Sequence, residues 1–254
     1  MSFDPTPRLD GRVAVIAGGL GAIGYATAQR LAALGASCVL LHRHADDADA
    51  RTAALPAAAG QRHLALQADI VDTSSLQRAA AAVQEGFGRC DILVNSAGHT
   101  RPVPAADLDG LSDELIDDLM RANFRGVFAT IRAFVPLLKA SGDGLVVNIS
   151  SIAGFTGVGS NLAYVAAKAG LDVVGDALAK VLAPAVRVVS VSPGAVESGF
   201  VPGRGDAFKA QMAQTTPLGR IGTPQDVAAT VEALATTLRF VTGTRIVVDG
   251  GRHL

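Results

Sequence analysis

Along the whole 254-residue chain, short runs of β-branched and apolar residues alternate with longer alanine- and leucine-rich stretches of helical period. Runs this short suit buried strands, and each intervening stretch is long enough to carry the chain back so that the next strand points the same way. The expected fold class is α/β, a single doubly wound parallel sheet of about seven strands with helices on both faces. Strands are expected near 13–16, 38–41, 64–67, 92–94, 145–149, 186–191 and 246–248. The first helix should run over 23–34 and stop at Gly35, another opens behind Asp72 and Thr73, and long ones cover 113–140 and 162–182. Pro136 should kink or shorten the third near its end. No repeat or proline-rich linker divides the chain, so 1–254 is expected to form a single domain. The stretch 197–216 has weak periodicity and many glycines and polar residues, which makes it the candidate for a mobile lid.

Composition narrows the partners. Apolar residues make up 49% of the chain, yet no run approaches the roughly 18 needed to cross a bilayer. A net charge of -1 without a basic cluster argues against nucleic acid and anionic membranes. The opening MSFDPTPRLDGR has no apolar signal core. Cys38 lies in a strand-like run and Cys90 just before another, positions that suit buried free thiols, so a cytoplasmic protein is expected. The five histidines show no metal-ligand spacing with acidic or cysteine partners, and no metal site is expected.

The stretch AGGLGAIG follows the apolar run VAVI and puts four glycines into eight residues. A glycine-rich turn between a strand and a helix brings backbone N–H groups and the positive helix end against a phosphate. It can be read as G-x-G-x-x-G through Gly19, Gly21 and Gly24, or in a register that aligns Gly18, Ala22 and Gly24. Further on, YVAAK places Tyr164 and Lys168 one helical turn apart, where a cation lowers the phenol pKa and makes it a usable proton donor and acceptor. Ser151 ends VVNISS at the expected carboxyl end of a strand, where ligands bind in open α/β sheets, and its hydroxyl can hydrogen-bond a carbonyl oxygen. Ser150 competes for that role, since strand alternation points the two hydroxyls differently.

With these pieces in place the sequence resembles the short-chain dehydrogenase/reductase family over nearly its whole length. The matching segments stand in family order: AGGLGAIG, the ADI at 68–70, NSAG at 95–98, Asn123 in RANFRGVF, NISS, YVAAK, SPGAVES at 192–198, PLGRIGTPQDVA and TGTRIVVDGG. The resemblance implies a Rossmann-type sheet and hydride transfer between a nicotinamide cofactor and a carbonyl or secondary alcohol. By it, Tyr164 is the general acid/base and Lys168 lowers its pKa and holds the nicotinamide ribose. Ser151 orients the carbonyl, and Asn123 holds a water that links Lys168 to solvent. It selects the register Gly18, Ala22, Gly24 for the loop, with Ile23 beside it. Asp69 and Ile70 are implied to flank the adenine and Asn95, Ala97 and Gly98 the adenosine side. Pro193, Gly194, Val196 and Ser198 take the nicotinamide end. The sequence departs from the family pattern at Ala17 (usually threonine), Ala22 (glycine), Ser96 (asparagine) and Ser198 (threonine). Loss of the threonine hydroxyl removes a bond that would tie the loop to NSAG, and the Ala22 methyl could crowd the cofactor or strain a positive-φ position.

Where an NAD-binding fold carries an acid at the end of its second strand, this chain reads CVLLHRHADD, with His42 at that position and Arg43 after it. Arg43 can pair with a 2′-phosphate unless it stays solvated, so NADP(H) is expected to be preferred, with NAD(H) as the weaker cofactor. Three functions stay open: a 3-oxoacyl thioester reductase, a dehydrogenase or reductase of a small ketone, sugar or cyclic alcohol, and a cofactor-sensing regulatory protein without turnover. His99 either contacts substrate or is solvated. The resemblance also implies a homo-oligomer, a dimer or tetramer, packed through the two long helices.

Overall fold

The computed structural model describes residues 8–44, 46–203 and 205–254. The opening segment 1–7, Ala45, and Arg204 within the 197–216 stretch lie outside the described residues. Seven strands, β1 (Val13–Ala17), β2 (Ser37–His42), β3 (Leu64–Gln67), β4 (Ile92–Asn95), β5 (Gly144–Ile149), β6 (Val186–Pro193) and β7 (Thr244–Val248), form one sheet in the order β3-β2-β1-β4-β5-β6-β7. Every pairing is parallel. Between the strands run α1 (Ala22–Ala33), α2 (Ala48–Ala53), α3 (Thr73–Phe87), α4 (Asp113–Met120), α5 (Gly126–Ala140), α6 (Ala153–Thr156), α7 (Leu162–Leu182), α8 (Asp206–Gln214) and α9 (Pro224–Thr236).

Strand alternation divides the core into two layers. Ala14, Ile16, Cys38, Leu40, Val147 and Val191 belong to the layer covered by α1 and α9. Val13, Val15, Val39, Leu93, Val146 and Val188 belong to the one under α3, α5 and α7. Because both faces are covered, the strands read as continuous apolar runs, and β5 is buried along its whole length. The chain winds outward from β1 to β3 and then returns to lay β4 on the other side of β1. The loops leaving β1 and β4 therefore diverge and open a crevice at the carboxyl ends of the strands.

The expected long helix over 113–140 is continuous but carries one wider turn. α4 ends at Met120, residues Arg121–Arg125 form a wider π-turn, and α5 resumes at Gly126. Pro136 does not shorten it: α5 runs through the ring to Ala140, and a proline so near the end disturbs only the last turns. The weakly periodic 197–216 stretch contains a helix, α8, which has no buried residue and therefore no apolar stripe to announce it. α9 is set by Thr223, whose hydroxyl accepts the Asp226 N–H while the Asp226 carboxylate accepts the Thr223 N–H. Among the described residues no helix is long and apolar enough to cross a membrane.

Candidate active site

The loop after β1 needs glycine at Gly18, Gly19 and Gly24, for different reasons. Gly18 has φ +73° and lies so close to Ala97 that an added Cβ would sit 2.8 Å from its backbone. A Cβ on Gly24 would meet the Gly18 carbonyl oxygen at 2.2 Å, which fixes the first turn of α1 tightly on the loop. Gly19 is pressed against Leu40 of β2, where a Cβ would come within 2.9 Å, and this packing accounts for the second register. The feared strain at Ala22 is absent: no described non-glycine residue has positive φ, and Ala22 opens α1 as an ordinary helical residue. The tie to NSAG, without the threonine hydroxyl, runs through the backbone, with the Ser96 N–H donating to the Ala17 carbonyl at 2.9 Å. Gly21, the residue before the helix, offers no side-chain cap, and the first turn holds no acid. Its N–H groups and positive end are available to an anion, so the loop fits a pyrophosphate.

At the end of β2, His42 and Arg43 border the same space. The His42 Nδ1 is buried without a hydrogen-bond partner among the described residues, and Arg43 is exposed. Asp69 borders it too, but its Oδ1 accepts the Val71 N–H at 3.0 Å. Asp46 and Asp47 are not part of the lining.

Tyr164 and Lys168 owe their positions to the start of α7. The Asn161 side chain accepts the Tyr164 N–H at 2.7 Å and donates to the Arg101 carbonyl at 2.7 Å, which pins the first turn of the helix. α6 packs on the next turn so closely that a Cβ on Gly154 would lie 2.9 Å from the Ala169 nitrogen. Lys168 is buried, with Nζ donating to the Ile149 carbonyl at 2.7 Å and standing 5.6 Å from the centre of the Tyr164 ring. Burial pushes its ammonium down to about 8, and the Asp172 carboxylate pulls the other way. The two serines divide as strand geometry requires. Ser150 is buried with its hydroxyl on the Lys168 carbonyl, whereas Ser151, more open, accepts only the Ala153 N–H at 3.1 Å.

Asn123 sits inside the π-turn. Its amide donates to the His99 carbonyl at 2.9 Å and to the Leu119 carbonyl at 3.0 Å, so the wider turn joins the helix to the loop after β4. Its Oδ1 is buried without a partner among the described residues and lies 2.5 Å from where a Gly98 Cβ would be.

One cavity of about 750 Å³ joins these parts. It runs from Gly18, Ala22 and Ile23 past Ile70, Ala97 and Gly98 to Ser151, Tyr164 and Lys168, and on to Pro193, Gly194, Val196 and Ser198. Gly24, Asn95 and Asn123 do not line it. Gly24 lies behind the loop, and the Asn95 amide donates to Asn148 between β4 and β5. The far wall is formed by Val158, Phe200, Val201, Phe208, Met212 and Arg252, of which the sequence marked only the stretch 197–216 and none of the individual side chains. Phe200 places its ring 6.0 Å from that of Tyr164, and the Arg252 guanidinium donates to Thr215 at 2.6 Å and to the Met212 carbonyl at 3.2 Å. These residues carry no motif and meet only in three dimensions. His99 borders the cavity with its Nε2 2.7 Å from Asp118. No cluster of metal-ligating side chains occurs among the described residues.

The family model described as Enoyl-(Acyl carrier protein) reductase matches residues 18–253. A relative from Streptomyces violaceoruber, named "Granaticin polyketide synthase putative ketoacyl reductase 2", is 39% identical, with 95% of this chain and 96% of the relative covered. The D-threitol dehydrogenase of Mycolicibacterium smegmatis is 36% identical, with 99% of this chain and 96% of that protein covered. The crystal structure of levodione reductase matches with a TM-score of 0.90 at 29% identity, over 97% of this chain and 99% of that one. A parallel seven-stranded sheet of this order, joined to sequence matches that span nearly the whole chain, places the protein in the short-chain dehydrogenase/reductase family, oxidoreductases of alcohol and carbonyl groups.

Proposed function

We propose that the protein is an NADP(H)-dependent oxidoreductase that interconverts a carbonyl and a secondary alcohol, with Asn123, Ser151, Tyr164 and Lys168 as its working residues. The observation that carries this reading is the single cavity shared by the glycine loop, the His42–Arg43 pair, and the Ser151, Tyr164 and Lys168 side chains. Gly18, Ala22 and Ile23 would receive the pyrophosphate at the start of α1, with Gly24 packed behind them to hold the loop on the helix. Asp69 and Ile70 would take the adenine, Ala97 and Gly98 the adenosine side, and Pro193, Gly194, Val196 and Ser198 the nicotinamide end, while Asn95 supports the loop from between β4 and β5. When bound, the nicotinamide supplies or accepts the hydride. The Ser151 hydroxyl donates to the substrate oxygen, and Tyr164 gives that oxygen its proton or takes it away. Lys168 holds positive charge beside the phenol, and the free Oδ1 of Asn123 is suited to a water that returns protons from solvent.

The cofactor preference rests on Arg43 and on the unpartnered Nδ1 of His42 at the end of β2. A charge-assisted contact to a 2′-phosphate contributes about 1.5–3 kcal/mol, roughly ten- to a hundred-fold in affinity. NAD(H) is the weaker cofactor by that factor. The apolar far wall of Phe200, Val201, Phe208 and Met212 suits a substrate whose carbonyl is flanked by hydrocarbon. A 3-oxoacyl thioester is the first reading, in keeping with the ketoacyl reductase relative. A small ketone or cyclic alcohol is the second. A homo-oligomer built on the exposed Phe128, Val173 and Val181 of α5 and α7, in the cytoplasm, completes the proposal.

The test is a panel of free and carrier-linked 3-oxoacyl thioesters, ketones, sugars and cyclic alcohols, each run with NADPH or NADP and with the NAD pair. Native protein should favour the phosphorylated cofactor, and Arg43→Ala should lose most of the preference. Equal or better use of NADH would overturn the cofactor assignment. Cofactor binding without turnover of any substrate would sink the enzyme reading in favour of a regulatory protein.

A further inference from the structure

Asp172 continues the spacing of Tyr164 and Lys168 along α7, one turn beyond the lysine on the same face. It is only 4% exposed. Its Oδ2 lies 3.5 Å from Nη1 of Arg245 on β7, and its Oδ1 is buried with no hydrogen-bond partner among the described residues. Acceptors left this way are rare in folded proteins, and one long contact to a half-exposed arginine does not account for a buried acid. Lys168 supplies the missing reason. Its ammonium is buried, its hydrogen bond goes to a neutral carbonyl, and Asp172 is the charge that opposes its desolvation.

We propose, on the reading of Tyr164 and Lys168 given above, that Asp172 is a positioning residue whose buried carboxylate keeps Lys168 charged, so that an ammonium and not a neutral amine stands beside Tyr164. The other charges on the elements packed against α7 are engaged elsewhere or exposed. Asp118 of α4 pairs with His99 and Arg121. Arg125 donates to the Val71 carbonyl, and Arg187 of β6 donates to the carbonyls of Leu234, Leu238 and Val241. Asp113, Glu114 and Asp117 of α4 are exposed. Asp176 lies a further turn along α7, and α6 and β5 carry no charged residue.

The direction of the effect follows from distance. Without Asp172, Lys168 releases its proton at lower pH, and Tyr164, deprived of its cation, forms phenolate at higher pH. The direct repulsion between Asp172 and a phenolate has the opposite sign. It acts over two turns, roughly 12 Å along the axis, and so is the weaker term.

The chain has two tyrosines and no tryptophan, so a Tyr25→Phe protein leaves Tyr164 as its sole source of tyrosinate absorption. Tyr25 does not line the cavity, and its hydroxyl donates to the Arg51 carbonyl. In that background Asp172→Asn should raise the tyrosinate midpoint by about one pH unit, and Asp172→Glu should restore it. With Lys168→Met also present, Asp172→Asn should no longer raise it. An unmoved midpoint in folded Asp172→Asn protein, or the same rise without Lys168, would overturn the proposal. If the Asn variant does not fold, Arg245→Gln tests the link from the other side: freed of its second cation, Asp172 should act more strongly on Lys168 and lower the midpoint, and no change there overturns the proposal equally. The titration needs neither substrate nor cofactor, so a failed substrate panel would leave its outcome standing.

Discussion

At the scale of single residues, the buried Lys168 ammonium sets function against stability. Its folded pKa of about 8 lies below the ordinary lysine value of 10.5. Below pH 8 both folded and unfolded chains carry the proton, and the folded state bears the full cost of the buried charge. As pH rises from 8 to 10.5 the unfolded lysine keeps a proton that the folded one has released, so stability recovers. Lys168→Met should therefore gain most over the native protein near pH 7, and the gain should shrink by about 3 kcal/mol by pH 10.5. Urea unfolding across that range checks it, and a difference independent of pH would show that the ammonium is not desolvated. For Tyr164 the expectation is kinetic. Tyr164→Phe keeps the ring against Phe200 but has no proton to move, so turnover should fall by orders of magnitude while cofactor affinity stays within a few-fold. Retention of most of the activity would rule out the phenol as the acid/base.

At the scale of elements, α8 is the least anchored helix of the site. It buries no residue and has no side-chain cap, yet Phe208 and Met212 from it line the cavity. With so little apolar contact to hold it, the stretch 197–216 should open readily and close when both ligands fill the space. Limited proteolysis should cut there in the free protein and much more slowly with saturating NADPH and substrate; equal cleavage would count against a lid. The same weakness explains why α8 was illegible in the sequence, since a helix without a buried stripe leaves no period. α7 is the opposite case. Its alanine- and leucine-rich period gives the expected bounds 162–182, which the structure reproduces, with Asn161 capping the first turn. The π-turn escaped because the apolar period passes through it, and only the backbone records the extra residue that carries Asn123 inward. That the loop after β1 meets Ser151, Tyr164 and Lys168 was legible through the order of their motifs. The far wall of the cavity was not, because Phe200, Phe208 and Arg252 become neighbours only when α8 and the turn after β7 fold over the sheet edge.

At the scale of the whole molecule, the sheet separates two cores, and each contains one cysteine. Cys38 lies in the layer under α1 and α9, Cys90 in the layer under α3, α5 and α7, and both are fully buried. Burial pushes the Cys38 thiol up to about 12, and burial with the adjacent Asp91 carboxylate raises that of Cys90 as well. Neither can react from the folded state at ordinary pH, because the thiolate is the nucleophile. The pair therefore forms a natural set of clocks for partial opening, one in each layer. If the molecule opens only as a whole, an excess of thiol reagent in mild denaturant should modify Cys38 and Cys90 at the same rate, read by peptide mass spectrometry. If one helical layer detaches before the other, its cysteine reacts first, and a nicotinamide cofactor, if it binds in the crevice as proposed, should slow the earlier event more than the later one.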